Sequence, residues 1–214
     1  MKSYLEIKVP IENNAPWFEE LRNKICLHGI NVRWQNAYYH ITVAFIHEEP
    51  KDESIRSIFF SCLKWRVAPS LTFDKLDAFT MFPGRHILFL ISEHPSEEFS
   101  TIVREVRDTL AGTSCNFDKD FRLHVTLGRV FDERVGIDQL KNLANSIVVS
   151  PFTMRLSEAQ YREYRGGVID KWTMWPDKES AAKAEEEQTR TAFQNAFSNI
   201  RYVESRYLKG TSCC

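Results

Sequence analysis

Two short segments of this chain repeat one pattern: Tyr39-His40-Ile41-Thr42-Val43-Ala44-Phe45 and Leu123-His124-Val125-Thr126-Leu127-Gly128-Arg129. Each sets His-x-Thr in an apolar, β-branched run, the composition of a strand. Successive side chains of a strand point to opposite faces. His40 and Thr42 therefore share one face, while Ile41, Val43 and Phe45 take the other. His124 and Thr126 share a face likewise, opposite Val125 and Leu127. One His-x-Thr alone is an ordinary strand segment, because short matches arise often by chance. Two of them, at equivalent places along the chain, are a constellation: if lobes carrying them face each other, two imidazoles and two hydroxyls line one cleft.

The surrounding pattern supports two lobes. Residues 3–9 alternate as a half-buried strand, and Phe18, Leu21 and Ile25 give Pro16–Leu27 a helix face with proline in its first turn. Strands are expected at 31–34 and 38–46, then a helix over 51–65. Strands follow at 71–81 and 86–91, joined by Phe82-Pro83-Gly84-Arg85. A helix over 96–110 has Ser96 as N-cap, acidic residues in its first turn and Gly112 beyond its end. A strand at 122–130, a helix at 138–145 and strands at 148–156 and 169–175 complete the reading. The order strand, helix, His-bearing strand, helix thus occurs twice in a strand-rich α+β chain. After Pro176 the composition shifts to Ala, Glu and Lys, strong helix formers. This divides the chain into residues 1–176 and a helical C-terminal extension, 177–214, whose expected role is structural, with self-association as the alternative.

A net charge of −1 over 214 residues provides no global basic field for a long nucleic acid. A small anionic ligand needs only a local positive site. The N-terminal MKSYLEIKVP reads as a strand and not as a secretory leader, and charges interrupt every apolar run before it reaches membrane-spanning length. The five cysteines are scattered without zinc-ligand spacing. Free thiols in a reducing cytoplasm are the expectation, Cys213 and Cys214 included. No metal and no cofactor is expected.

Phosphodiester chemistry can use the repeated pair. A neutral imidazole takes a proton from the attacking water or hydroxyl, and a protonated one donates to the departing oxygen. An ordinary histidine pKa near 6.5 lets both forms coexist near neutrality. The threonine hydroxyls can donate to the non-bridging oxygens, where negative charge accumulates.

On these segments the chain resembles the 2H phosphoesterase superfamily, in particular the 2′-5′ RNA ligase or RNA 2′,3′-cyclic phosphodiesterase branch. The likeness runs from the opening strand Tyr4–Val9 through both His-x-Thr segments, the Phe82-Pro83-Gly84 turn and Phe121-Arg122, ending at Trp172–Pro176. It departs from the family at Leu123, where proline is common, and at Ile46-His47, where Leu-Gly is usual. The resemblance implies a bilobal, pseudo-twofold duplicated fold, with two antiparallel sheets flanked by helices around a central cleft. It also implies a catalytic tetrad of His40, Thr42, His124 and Thr126, with His40 as acid and His124 as base. The implied partner is a nucleotide or an RNA end, with a 2′,3′-cyclic phosphate or 2′-5′ linkage opened or formed. The alternative is a module on the same fold that binds or senses a nucleotide without turnover.

Four further residues are candidates for substrate binding. Arg129 matches the family's basic residue after the second motif, although strict alternation turns it away from His124 unless a bulge redirects it. Arg122 has the right parity, but a solvated strand residue would read the same. Tyr38 shares the His40 face and could stack on a base, or simply pack. Phe82 sits in a turn where a base could rest. His47 is placed to reach the cleft rim, whereas His28, His86 and His94 are read as structural or surface residues.

Overall fold

Helices form where the apolar spacing demands them. In the computed structural model, which describes residues 2–12, 15–36, 38–49 and 54–209 with side chains to 194, α1 (Pro16–Leu27) starts on its proline and buries Phe18, Leu21 and Ile25. α2 (Ile55–Leu63) buries Ile55, Ile58, Phe59 and Leu63. The N-terminus of α3 (Glu97–Ala111) is held by Ser96, whose hydroxyl accepts from the Phe99 amide at 3.3 Å. α4 (Ile137–Asn145) buries Leu140 and Ala144, and α5 (Lys178–Lys209) follows Pro176.

All strand pairings within the sheets are antiparallel. The first sheet contains β1 (Ser3–Val9), β3 (Tyr39–Glu48), β7 (Asn116–Phe117), β10 (Glu158–Glu163) and β11 (Val168–Thr173), in the order β11-β10-β1-β3-β7. The second contains β2 (Val32–Trp34), β5 (Lys75–Phe82), β6 (Arg85–Ile91) and β8 (Val125–Phe131), in the order β2-β8-β6-β5. Laid side by side, β10-β1-β3-β7 corresponds to β5-β6-β8-β2, which is the pseudo-twofold relation.

The lobes exchange parts. β2 leaves the sheet of its sequence neighbours β1 and β3 and pairs with β8, while β7 leaves β6 and β8 and pairs with β3. The preceding helices follow: α3 packs on β3 and α2, and α1 packs on α4, which covers β5. The two His-bearing strands are thereby locked to each other's lobe, with their helix-facing side chains Ile41, Val43, Val125 and Leu127 fully buried. Burial of such a side chain contributes roughly 1.5–3 kcal/mol.

Several boundaries differ from the sequence expectation. The single strand expected at 71–81 breaks at Asp74 into β4 (Ser70–Phe73) and β5, which enter different sheets. Asp74 turns the chain, its carboxylate accepting from the Glu93 amide at 3.1 Å. β4 pairs with β9 (Phe152–Arg155), which is shorter than the expected 148–156. β8 starts at Val125, so His124 sits at the strand's mouth. β10 was not expected, because Glu158, Gln160 and Arg162 dilute its apolar pattern. Of the expected helix over 51–65, residues 51–53 lie outside the described part of the chain, as do Cys213 and Cys214. Cys26, Cys62 and Cys115 are free thiols. Among the described residues, no helix is long and apolar enough to cross a membrane.

Candidate active site

The backbone of each His-bearing strand carries a bulge at the same place. On β3, Thr42 pairs with Glu6 and Ala44 with Leu5, so Val43 and Ala44 together oppose one residue. On β8, Thr126 pairs with Phe89 and Gly128 with Leu88, so Leu127 and Gly128 do the same. An extra residue reverses the alternation beyond it. Arg129 therefore lies on the His124–Thr126 face, as strict alternation would not allow. Phe45, expected to point into helix packing, is turned by its own bulge onto the His40–Thr42 face, where it stacks on Tyr4 with 6.2 Å between centroids. The glycine in the second bulge is required by crowding: a Cβ on Gly128 would lie 2.5 Å from Val32 Cγ1 and 2.9 Å from Trp34 Cε3 on the exchanged strand β2.

β3 and β8 come together where the lobes meet. The Gln35 amide donates to the Leu127 carbonyl at 2.8 Å and its side chain to the Tyr38 carbonyl at 2.7 Å, while Arg129 Nη1 donates to Gln35 Oε1 at 3.4 Å. The two imidazoles are close enough that charge on His124 depresses the basicity of His40, and the Arg129 guanidinium depresses both. Thr42 and Thr126 are half-buried on the same faces.

The surroundings of the two rings differ. His124 Nδ1 lies 2.8 Å from the carbonyl oxygen of Arg122. A carbonyl only accepts, so Nδ1 carries the hydrogen and Nε2 keeps its lone pair. Phe79 and Phe89 flank the ring edge-on, at 5.3 and 5.9 Å between centroids. Burial lowers the pKa of His124, the Arg122 carbonyl partly offsets this, and the charges of Arg122 and Arg129 lower it further. His40 is pushed down to about 4, first by burial and then by His124, Arg129 and Arg162.

Beside His40 stands a glutamate from the polar face of β1. Glu6 is 0% exposed, and its Oε2 lies 3.4 Å from His40 Nδ1. Its other oxygen accepts from the Tyr38 hydroxyl at 2.5 Å and has Arg162 Nε at 3.6 Å. Burial raises the Glu6 pKa, Tyr38 and Arg162 partly offset this, and Glu158 adds to it. Alternation in β1 correctly put Glu6 opposite Leu5 and Ile7. What alternation could not reveal is that this face meets His40 instead of water.

The remaining candidates divide. Tyr38 lies 5.6 Å from His40 between ring centroids, but its hydroxyl is committed to Glu6 and Arg162 covers its ring. It is a wall of the site and not a free stacking surface. Arg122 is exposed, with its guanidinium 4.7 Å from the centre of Phe79. Phe82 is not brought to the group. It pairs with Arg85 at the tip of the β5–β6 hairpin, six residues along β6 from Ile91, roughly 20 Å at strand spacing. Phe79 takes the position beside the histidine instead. His47 also turns aside, its Nε2 2.7 Å from Asp118 Oδ1. His86 is structural, held between Thr80 and the Val135 carbonyl. Among the described residues, no group of three or more His, Cys, Asp or Glu is placed to hold a metal ion.

Comparison with known proteins bears on the fold. Residues 89–169 match the family described as LigT like Phosphoesterase. By sequence alone, no curated protein matches the chain. Among solved structures, Usb1 of Kluyveromyces marxianus is similar over 81% of this chain and 98% of its own, with a TM-score of 0.58 at 10% identity. LigT of E. coli, complexed with 3′-AMP, is similar over 81% and 97%, with a TM-score of 0.50 at 16% identity. TT0787 of Thermus thermophilus is similar over 81% and 98%, with a TM-score of 0.50 at 18% identity. At such identities the shared property is the fold.

Proposed function

We propose that the chain is a member of the 2H phosphoesterase superfamily, and a metal-independent phosphoesterase acting on a nucleotide or RNA end, opening a 2′,3′-cyclic phosphate or a 2′-5′ phosphodiester between His40 and His124. The observation that carries this reading is the meeting of the two His-bearing strands β3 and β8 from different lobes, with one imidazole, His124, having its Nδ1 committed to a carbonyl.

His124 Nε2, holding a lone pair, takes a proton from a water as the water oxygen bonds to phosphorus. The phosphorus–ribose oxygen bond breaks, and the departing oxygen takes a proton from His40. In the reverse, ligating direction a ribose hydroxyl gives its proton to His40 as its oxygen bonds to phosphorus, and the oxygen that departs takes a proton from His124. Thr42 and Thr126 donate to the non-bridging oxygens, and Arg129, redirected by its bulge, neutralises the phosphoryl charge. A nucleotide substrate is in keeping with E. coli LigT, whose structure holds 3′-AMP. A cytoplasmic setting, where RNA ends arise, belongs to the same proposal.

The test is direct. The purified protein, in EDTA, is incubated with nucleoside 2′,3′-cyclic phosphates and 2′-5′ dinucleotides, and the products are identified by mass spectrometry. A ring-opened monophosphate or a cleaved dinucleotide supports the proposal; nucleotide that binds but returns unchanged after long incubation contradicts it.

A further inference from the structure

The deepest ionisable group of the site is not used by the reaction as drawn. Glu6 is fully buried in mid-sheet, between Thr42 on β3 and Gln160 on β10. The architecture does not ask for a carboxyl there. At the corresponding position of the other lobe, opposite Thr126, stands Phe89, also buried. Placing an acid in such a position costs several kcal/mol unless it is partnered.

The partners point in one direction. Glu6 Oε1 is supplied by Tyr38, with Arg162 nearby. Glu6 Oε2 and His40 Nδ1 are both buried without a satisfied hydrogen bond, and they face each other at 3.4 Å. His124 Nδ1, by contrast, has its carbonyl. A carbonyl can only accept, whereas a carboxyl can also donate.

We propose that Glu6 is the positioning residue and proton reservoir of His40: the two groups hold two protons as one neutral pair, so that His40 Nε2 presents a hydrogen to the groove and Glu6 replaces the proton that Nε2 gives away. The inference rests on the acid–base reading above. Two protons on the pair can be placed in two ways. Either Glu6 Oε2–H donates to Nδ1 of a neutral ring, or both protons sit on the imidazole beside a carboxylate. Nε2 is protonated in both. Burial, which raises Glu6 and lowers His40, favours the first placement. A phosphate anion in the groove favours the second.

In the reaction, Nε2–H passes to the departing ribose oxygen and the Glu6 proton moves to Nδ1. The carboxylate left behind is stabilised by the Tyr38 hydroxyl and Arg162. Solvent then returns a proton to Nε2, while His124 releases the one it took from water. The cations facing the pair are His124 when protonated, Arg129 on β8, Arg162 on β10 and Lys8, which is paired with His40 across β1 and β3. Glu158 opposes them, and the phenols of Tyr4 and Tyr38 remain neutral because burial raises both. Two like side chains thus receive opposite tautomers from their Nδ1 partners, donor at His40 and acceptor at His124.

Two measurements on the full-length protein test this. The first reads the ring nitrogens of His40 by 15N NMR from pH 5 to 8, assigned with His40→Gln. Nε2 protonated throughout, with that preference lost in Glu6→Ala, is the expected result; an Nδ1–H tautomer with bare Nε2 at neutral pH in the unmodified protein overturns the proposal. The second compares Glu6→Gln, which keeps shape but cannot give a proton, on two substrates. Turnover of a nucleoside 2′,3′-cyclic phosphate, whose alkoxide leaving group needs an acid, should fall about 100-fold with KM unchanged, at the lower end of general-acid contributions. Turnover of bis(p-nitrophenyl) phosphate, whose leaving group needs none, should fall by less than about threefold, since the acid contribution is then absent. Equal losses on both substrates, or no loss on either, overturn it. If the unmodified protein cleaves neither substrate, the acid–base reading fails, and the ring nitrogens alone then decide the pair.

Discussion

His124 Nδ1 donates to the backbone carbonyl of Arg122 across 2.8 Å, and this leaves Nε2 as a bare acceptor at the mouth of β8. Burial, together with the charges of Arg122 and Arg129, holds the ring's pKa below the ordinary 6.5. The sign of the pH dependence follows. Protonating a base abolishes its function, so activity rises as pH rises through the lowered value and persists below pH 6.5. A kcat/KM profile from pH 4 to 9 should place its acid limb below 6.5; a limb at or above that value would contradict the assignment of His124.

Arg129 depresses the basicity of both imidazoles, and in the proposed mechanism it also holds the phosphate. Replacing it with Met should lower kcat/KM by roughly 10- to 100-fold, the equivalent of a charge-assisted hydrogen bond of about 1.5–3 kcal/mol. The same change removes a cation that depresses His124, so the acid limb should move to higher pH. Steady-state kinetics across pH reads both effects. A loss of rate without movement of the limb would leave Arg129 as a substrate contact alone.

Gly128 is where the second bulge meets the exchanged strand. Its missing Cβ leaves the space filled by Val32 and Trp34. Gly128→Ala should destabilise the fold by about 1–3 kcal/mol, the usual cost of overpacking. It should also cut kcat/KM, because relief of the clash shifts the bulge that aims Arg129. Urea unfolding followed by tryptophan fluorescence measures the first effect, and an unchanged midpoint would refute it. The other lobe has Ala44 at the equivalent place, so the glycine answers to β2 and not to the bulge itself.

In α5, Ala181 is buried, while residues 185–194 are exposed, including Phe193 at 63%. Ending the chain after Arg190 should leave kcat/KM unchanged. If the extension serves self-association, the full chain should sediment as a larger species than the shortened one. Identical sedimentation would remove that role.

How much of this was legible beforehand follows from where side chains point. Both His strands, the Ser96-capped helix and the duplicated order were readable, because buried faces repeat at periods of 2 or 3.6 residues. The two-residue β7 is too short to carry a period, and the polar cleft face of β10 hides its strand character. The exchange of α1-β2 for α3-β7 depends on long-range pairing that no local pattern encodes. Alternation alone placed Phe45 on the wrong face and could admit Arg129 to the site only through a bulge, since a bulge is a property of two strands and not of one. Glu6 escaped for a related reason: a glutamate alternating with Leu5 and Ile7 looks solvated until β1 is known to lie beside β3. Phe82 was a candidate because a turn suggests exposure, whereas the place of Phe79 beside His124 is set by the β5–β6 register, which no local pattern encodes.

The proposed mechanism requires His40 and His124 to act together on one phosphodiester. The experiment that decides it is the rate of nucleoside 2′,3′-cyclic phosphate hydrolysis in EDTA by the unmodified protein, His40→Ala, His124→Ala and the double variant. Each single change should reduce kcat about 10²- to 10⁴-fold, with the double variant little worse than the poorer single one, as for groups that work as a unit. Full turnover by either single variant would contradict the account.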